Sequence, residues 1–173
     1  LRLVNTGQSV INLADLKLRY WYTNEPCRPQ QANIYWASCG GNNVTARFNA
    51  LTEVTRDADY CLELGFTNNA GILRPNEHVE IQLGFNPADW STYNQENDYS
   101  FMPETHDFVA NEKYTVYHQQ KLCWGKEPKH RPQITAGKNR ALEYHLELAF
   151  LGESTKPLPI ELNGEPLSLY PSL

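Results

Sequence analysis

Apolar and polar residues alternate with a period of two along much of the chain up to about residue 125, and no other feature constrains the fold as strongly. In the stretch LKLRYWY at residues 16–22, Leu16 and Leu18 fall on one face of an extended chain and Lys17 on the other. The same alternation recurs in stretches at residues 43–51, 59–66, 78–85, 113–118 and 121–125. Because successive side chains of a strand point to opposite faces, each stretch predicts a half-buried β-strand.

Clusters of Gly, Pro, Asn and Asp separate these predicted strands, as in TNEPCRP at 23–29, CGGNN at 39–43 and TNNAG at 67–71. These residue types favour turns because they adopt or stabilise the backbone conformations that turns require. Short alternating strands separated by such turns predict an all-β fold, either an antiparallel sandwich or a jelly roll.

The overall composition narrows the class of protein. The chain has 173 residues, 40% of them hydrophobic, which suits one domain with a sizeable core and an appended piece. The net charge of -5 argues against nucleic acid as a partner, since phosphate binding favours a basic surface. No apolar run approaches the roughly 20 residues of a membrane-spanning helix, so we expect no membrane insertion. The chain starts on a strand-like pattern rather than a signal peptide, and we interpret it as a mature or excised fragment.

The four cysteines allow several interpretations. Cys27 and Cys39 bracket a loop rich in Pro, Gln and Asn, where a disulfide would reduce the entropy of the unfolded chain. Alternatively, all four are small buried apolar residues. A Cys61–Cys123 bridge is the weaker possibility, because the two lie in separate predicted strands. A disulfide would agree with an oxidising, extracellular setting.

The residue composition of the chain changes after about residue 128. Residues 129–140 are rich in basic residues and are interpreted as an exposed connection. The next stretch, ALEYHLELAF at 141–150, alternates like a strand, and LPIEL and PLSLY follow it around Asn163-Gly164, a dipeptide that favours a hairpin turn. We therefore expect extra strands within residues 141–173.

The segment ADWSTYNQENDYSF at residues 88–101 combines aromatic side chains with many oxygen-bearing ones. A core strand does not tolerate so many acids and amides, and an ordinary loop seldom contains so many aromatics. We interpret the segment as one that holds something fixed and presents something flat.

Five blocks in order carry a resemblance to a known family. They are LVNTGQSVINLADLKLRYWYT, YWASCGGNNVTARF, ADYCLELGF, FNPADWSTYNQENDYSF and LCWGKEP. Residues 1–128 thereby resemble a family 3 carbohydrate-binding module. The resemblance implies a nine-stranded jelly-roll β-sandwich, one structural Ca²⁺ and a flat face that binds crystalline cellulose. Members usually open with one more strand, whereas this chain begins after it; our hypothesis is that residues 141–150 fill that place and complete the sandwich.

The resemblance also implies ligand-binding residues on the flat face, namely Trp90, Trp36, Tyr35, Gln82 and Tyr99. Trp90 matches the family's strip tryptophan, and Trp36 stands where other members carry a strip aromatic or histidine. Tyr35 occupies the position of a common strip aspartate and Gly84 that of the usual arginine, so this face is expected to be more aromatic and less charged. Core packing is the alternative for the tryptophans, but both lie in loop-like sequence beside polar residues.

Two stretches resemble the family's calcium-binding segments, TNE at 23–25 and NQEND at 94–98. The implied metal ligands are Thr23, Glu25, Asn94, Asn97 and Asp98. Glu25 replaces the usual aspartate and is one methylene longer. Ca²⁺ favours such oxygen donors, and its role would be structural. The alternative is a turn stabilised by Asx hydrogen bonds alone.

The resemblance implies a secreted, extracellular, non-catalytic module that binds cellulose or a related β-glucan. Its expected partner is a covalently linked catalytic or scaffold domain. One alternative is a helper module that packs on a glycoside hydrolase and binds cellulose weakly, and another is a polysaccharide-sensing ectodomain. Glycoside hydrolysis requires two placed carboxylates, and the sequence offers no recognisable nucleophile motif, so we expect no enzymatic activity.

Overall fold

The computed structural model describes residues 1–24, 28–103, 107–129, 160–162 and 165–167, the last two ranges as backbone. The chain divides into two compact units, Leu1–Gln133 and Ile134–Leu173. In the part of the chain that is described, no helix is both long enough and apolar enough to cross a membrane.

The described part of the first unit is built from short antiparallel strands. They are β1 (Arg2–Val4), β2 (Ile11–Asn12), β3 (Leu16–Tyr22), β4 (Gln30–Ala37), β5 (Val44–Ala50), β6 (Tyr60–Phe66), β7 (Ile72–Leu73), β8 (His78–Pro87), β9 (Thr115–His118) and β10 (Lys121–Trp124). One sheet has the order β10-β9-β3-β6-β5, the other β1-β8-β4, and β2 pairs with β7. The predicted antiparallel β-sandwich with jelly-roll topology is confirmed.

The hydrophobic core is built from the inward residues of the two sheets. Alternate positions of each strand contribute to it, as the period of two predicts. The buried core residues of β3, β6 and β8 are Leu16, Leu18, Tyr22, Leu62, Leu64, Phe66, Val79 and Ile81. Burying one such side chain stabilises the fold by roughly 1.5–3 kcal/mol, so this core holds the two sheets in a fixed arrangement.

Strand β4 corrects the interpretation of the Cys27–Cys39 stretch as a loop. It occupies Gln30–Ala37 and pairs with β8 along its whole length. The strand escaped sequence analysis for two physical reasons. Its inward residues include the small Ala32 and Ala37, and the extra residue Tyr35 interrupts the period of two.

A second buried cluster covers the outer face of the five-stranded sheet. It consists of Trp21, Ala58, Cys61 and Tyr117. The indole Nε1 of Trp21 donates a hydrogen bond of 2.9 Å to the hydroxyl of Thr115, which is itself fully buried. The indole is therefore fixed in place by both packing and a polar contact.

Replacing Thr115 with valine tests this contact. Thr115→Val keeps the side-chain shape but leaves the Trp21 N–H buried without its acceptor, so we expect a loss of about 1–2 kcal/mol in the free energy of unfolding. Urea unfolding measures it. Thr45→Val, at an exposed position of the same sheet, is the control and should change stability by under about 0.5 kcal/mol. Equal stabilities of the two variants would contradict the assignment.

The described cysteines are free thiols. Cys39 is half-buried, Cys61 is buried and Cys123 is exposed, and none of the three forms a disulfide. Cys39 is therefore not bridged to Cys27, which itself lies outside the described residues, and Cys61 is not bridged to Cys123. The alternative of a small buried residue holds for Cys61, which lies in the second cluster beside Trp21.

The second unit contains a short hairpin. Strand β11 (Ile160–Leu162) pairs antiparallel with β12 (Glu165–Leu167), with Leu162 opposite Glu165. These strands flank Asn163-Gly164, as the sequence predicts. The hypothesised strand at 141–150, and all but the first residue of the predicted connection at 129–140, lie outside the described residues.

Candidate ligand-binding face

The outward face of the three-stranded sheet presents two neighbouring aromatic rings. Ile34 pairs with Leu83 and Trp36 with Gln82, so Tyr35 is an extra residue that forms a β-bulge. A bulge opposes two residues to one and allows both to leave the regular alternation. Tyr35 is 70% exposed and Trp36 46% exposed, which are high values for aromatic side chains in a paired strand.

Gln82 lies beside these rings. Directly opposed residues of antiparallel strands share a face of the sheet, so the Gln82 side chain is on the same surface as Trp36. Gln82 is exposed, and its amide can both donate and accept hydrogen bonds. The structure therefore brings together three of the five sequence-predicted ligand-binding residues on one surface.

Trp90 lies on a turn directly after β8. Its N–H donates to the carbonyl of Pro87 over 2.9 Å, and its φ of 63° is in the left-handed region that residues other than glycine seldom adopt. The indole is 75% exposed. Pro87, where β8 ends, is about 17 Å from Gln82 along the strand direction. Exposed rings thus occur at both ends of this stretch of β8.

Three polar contacts of Asp89 stabilise the Trp90 turn. The Asp89 carboxylate accepts hydrogen bonds from the hydroxyl of Ser91 at 2.8 Å and from its N–H at 3.1 Å, and it forms an ion pair with Arg28. The Ser91 hydroxyl, followed by its N–H and by Arg28, lowers the pKa of Asp89. Asp89 therefore stays ionised into mildly acidic conditions and keeps these contacts.

Tyr93 anchors the same loop in the core. Its ring lies 5.6 Å from that of Phe85 and 5.7 Å from that of Tyr22, measured between ring centroids. Burial raises the pKa of the Tyr93 hydroxyl to about 12, so it remains neutral at physiological pH. The loop is thereby fixed three residues after the indole that it presents.

Asp98 connects two loops predicted to bind metal. Its Oδ1 accepts from the N–H of Thr23 at 2.9 Å and from the Thr23 hydroxyl at 3.1 Å, and its Oδ2 accepts from the hydroxyl of Tyr20 at 3.3 Å. The carboxylate is only 6% exposed. Burial raises the pKa of Tyr20, which keeps that hydroxyl protonated as a donor. Thr23 and Asp98 are therefore adjacent, as the resemblance implies.

Two of the remaining predicted metal ligands, Asn94 and Asn97, lie just before Asp98 in the chain. Asn94 caps the short 3₁₀ turn Gln95–Asn97 by accepting from Glu96 N–H, so both asparagines belong to the turn that leads into Asp98. Glu25 lies outside the described residues. Asn24, which precedes it, is 1% exposed, and its Oδ1 has no hydrogen-bond partner among the described residues.

The donors at this site are mainly hydroxyl, amide and carboxylate oxygens. Over the described ranges, no group of three or more His, Cys, Asp or Glu side chains could hold a metal. Mixed oxygen donors of this kind suit Ca²⁺ better than a transition metal.

Tyr99 does not join the aromatic face. Its ring packs against the second buried cluster, on the outer side of the five-stranded sheet, and its hydroxyl donates to the carbonyl of Lys126 at 3.0 Å. The expectation that it flanks Trp36 and Trp90 is therefore not met. The hydroxyl satisfied by a backbone carbonyl is the ordinary role of a half-buried tyrosine.

Two residues that support the Trp90 loop, Arg28 and Tyr93, are not predicted by any pattern in the sequence. Arg28 acts through an ion pair with a residue 61 positions away, which no local pattern reveals. Tyr93 follows Trp90 at a spacing of three in a loop, where periodicity carries no information. The only available signal was the high aromatic content of residues 88–101.

Comparison with known proteins identifies the family. The family model described as a cellulose binding domain matches residues 1–125. Beta-mannanase/endoglucanase A of Caldicellulosiruptor saccharolyticus is 45% identical over 129 residues, covering 74% of this chain and 10% of the enzyme. Anti-sigma-I factor RsgI4 of Acetivibrio thermocellus is 39% identical over 128 residues, covering 74% of this chain and 24% of that protein. The chain thus spans less than a quarter of either relative.

Solved structures agree with this result. A biomass-sensing module from RsgI-like proteins of Clostridium thermocellum, described as resembling a family 3 carbohydrate-binding module, aligns with a TM-score of 0.72 and 39% identity over 73% of this chain and 84% of the module. The family 3b module of the scaffoldin ScaA from Acetivibrio cellulolyticus aligns with a TM-score of 0.71 and 40% identity over 73% of this chain and 83% of that module. The chain belongs to the family 3 carbohydrate-binding modules.

Proposed function

We propose that this protein binds the flat face of an insoluble β-glucan, crystalline cellulose above all, and that it does so without catalysis. The observation that carries the proposal is the pair of exposed rings, Tyr35 and Trp36, on one surface of the sheet. At the end of that sheet, a turn stabilised by polar contacts presents the exposed Trp90. Gln82 supplies hydrogen bonds to hydroxyl groups at the rim of the sugar rings.

The physical basis is the shape of the ligand. Packed glucan chains present the apolar faces of their sugar rings, and aromatic side chains stack on such faces while both surfaces lose ordered water. Rings that are already exposed and fixed by the sheet lose little conformational entropy on binding. A flat, rigid aromatic surface therefore favours a flat, rigid ligand.

The charge distribution supports a neutral ligand. By strand register, the outward positions of β4 and β8 around the rings are Gln31, Asn33, Tyr35, Trp36, Gln82, Gly84 and Asn86. None of them is charged. Among the described residues, charged side chains at the two ends of this surface are paired, Arg28 with Asp89 at one end and Arg2 with Glu80, over 2.8 Å, at the other. Paired carboxylates also argue against the two placed acids of a glycosidase.

A pull-down on microcrystalline cellulose tests the function. We expect the protein to bind cellulose and to remain bound within about twofold when NaCl rises from about 0.05 M to about 0.5 M, because salt screens charges but not stacking. Polygalacturonate beads, which carry charged sugars, are the matched control and should retain less protein. Protein that stays in the cellulose supernatant would contradict the proposal and favour the helper module.

We further propose that Ca²⁺ occupies the site around Asp98 and has a structural role. Thr23, Asn94, Asn97 and Asp98 would hold it, together with Glu25. The Oδ1 of Asn24, which has no hydrogen-bond partner among the described residues, supports this assignment, because a buried oxygen without a partner is costly unless a cation satisfies it. The ion would connect the Thr23 loop to the loop that carries Trp90.

The biological context follows from the relatives. A module of this kind, linked to a secreted glycoside hydrolase or scaffold, keeps its partner at high effective concentration on the polysaccharide. The similarity to RsgI4 and to biomass-sensing modules favours a second role, in which the same face reports extracellular polysaccharide. Both roles imply an extracellular location and use the same surface.

A further inference from the structure

Gly84 lies next to the hydroxyl end of the Tyr35 ring. Asn33 pairs with Gly84, so the glycine faces outward one row away from Trp36 and Gln82. A Cβ placed on Gly84 would lie 2.7 Å from the hydroxyl oxygen of Tyr35 and 3.3 Å from its Cε2 and Cζ. All three nearest atoms belong to Tyr35, so the phenol ring extends from β4 across the backbone of β8.

The outer end of the Tyr35 ring fills the space that the missing side chain of Gly84 leaves open. Among the described residues, none forms a hydrogen bond with the Tyr35 hydroxyl, so no polar anchor directs the ring. An aromatic side chain that covers a cross-strand glycine lies along the surface of the sheet, since the missing side chain leaves it room. With 70% of its area exposed, Tyr35 keeps its outer side free for a ligand.

We propose that Gly84 is a positioning residue for carbohydrate binding: by lacking a side chain, it lets Tyr35 lie flat and act as a third stacking ring beside Trp36 and Trp90. Any side chain at position 84 would lift the phenol out of the sheet surface. The ligand class that this arrangement selects is a planar array of neutral sugar rings. The inference rests on the proposed function, because it explains how the same face becomes flat.

Gly84→Ala is the sharpest test, since it adds only the one carbon that the ring excludes. The φ of Gly84 is not in the left-handed region, so alanine is compatible with the backbone. Tyr35 is exposed and can move away at little cost. We therefore expect a melting temperature equal to or above that of the wild type, because glycine-to-alanine changes at permissive sites stabilise. Affinity for microcrystalline cellulose should nevertheless fall about fivefold.

A double-mutant cycle assigns the loss to Tyr35. We expect Tyr35→Ala to weaken binding by about fivefold as well, and Gly84→Ala to cause no further loss in that background. Gly41→Ala is the matched control, because its nearest neighbour, the Ile34 Cγ2, is 3.8 Å from the added carbon, and it should bind like the wild type. An NMR spectrum of the free protein tests the contact without cellulose. The ring current of Tyr35 should shift the Gly84 Hα resonances, and Tyr35→Ala should abolish that shift.

The outcomes separate the two proposals. Wild-type binding together with undiminished binding by Gly84→Ala would overturn the role of Gly84 and leave the proposed function standing. The same holds if Gly84→Ala weakens binding equally in the Tyr35→Ala background, or if the Hα shift is absent. Failure of the wild type to bind cellulose would overturn the proposed function, and the role of Gly84 with it.

Discussion

Trp90→Ala is expected to reduce retention on microcrystalline cellulose about 30-fold. The indole is 75% exposed in the free protein and would lose most of that exposure on a flat ligand, as tryptophan anchors do at binding hot spots, where truncation costs 2 kcal/mol or more. Stability should change little, since the ring is largely exposed and belongs to neither hydrophobic cluster of the described residues. Adsorption isotherms measure the affinity, and thermal unfolding measures the stability.

Trp124→Ala is the matched control for this experiment. Trp124 is 42% exposed on β10, at the edge of the other sheet, so it offers a similar ring away from the candidate face. It should bind cellulose like the wild type, whereas Trp36→Ala should weaken binding in the same direction as Trp90→Ala. If Trp124→Ala loses affinity and Trp90→Ala keeps it, the ligand binds the opposite face.

Calcium removal is expected to lower the melting temperature by about 8 °C. An ion that binds only the folded state at about 100 times its Kd stabilises by about 2.7 kcal/mol, and a unit of this size shifts by about 3 °C for each kcal/mol. Thermal unfolding in EDTA and in excess CaCl₂ gives the difference directly. Asp98→Asn, which removes the buried charge and keeps the shape, should abolish the response to calcium.

Asp89→Asn is the control for that result. Asp89 is an exposed carboxylate nine residues earlier, paired with Arg28, and its removal should leave the calcium response intact. A wild-type melting temperature that ignores calcium would contradict the metal assignment. So would an unchanged calcium response in Asp98→Asn.

The sequence predicted the parts of the fold that depend on regular alternation. The stretch at 16–22 matches β3, and the all-β sandwich follows from several such stretches. Strand β4 was missed, because alternation fails where Tyr35 adds a residue and where the inward side chains are as small as Ala32. An alternating pattern reveals a strand only where each side chain lies on the face of the sheet that the alternation predicts.

The candidate site was predicted in part, for a related reason. The exposure of Trp36 and Trp90 and the proximity of Thr23 to Asp98 agree with expectation. Tyr99 was placed on the wrong sheet, because its position depends on how a loop crosses the edge of the sandwich. The contact of Tyr35 with Gly84 depends on the register of two strands and on a bulge, and neither can be read from one strand alone.

The bulge in β4 also bears on how such surfaces diversify. The inward pairs on either side of it, Ile34 with Leu83 and Ala37 with Ile81, keep the register they would have if Tyr35 were deleted. An in-frame gain or loss of a single codon at this point would therefore add or remove one outward-facing group without repacking the interior. Relatives of this module can in this way change their recognition surface with almost no loss in the stability of the fold.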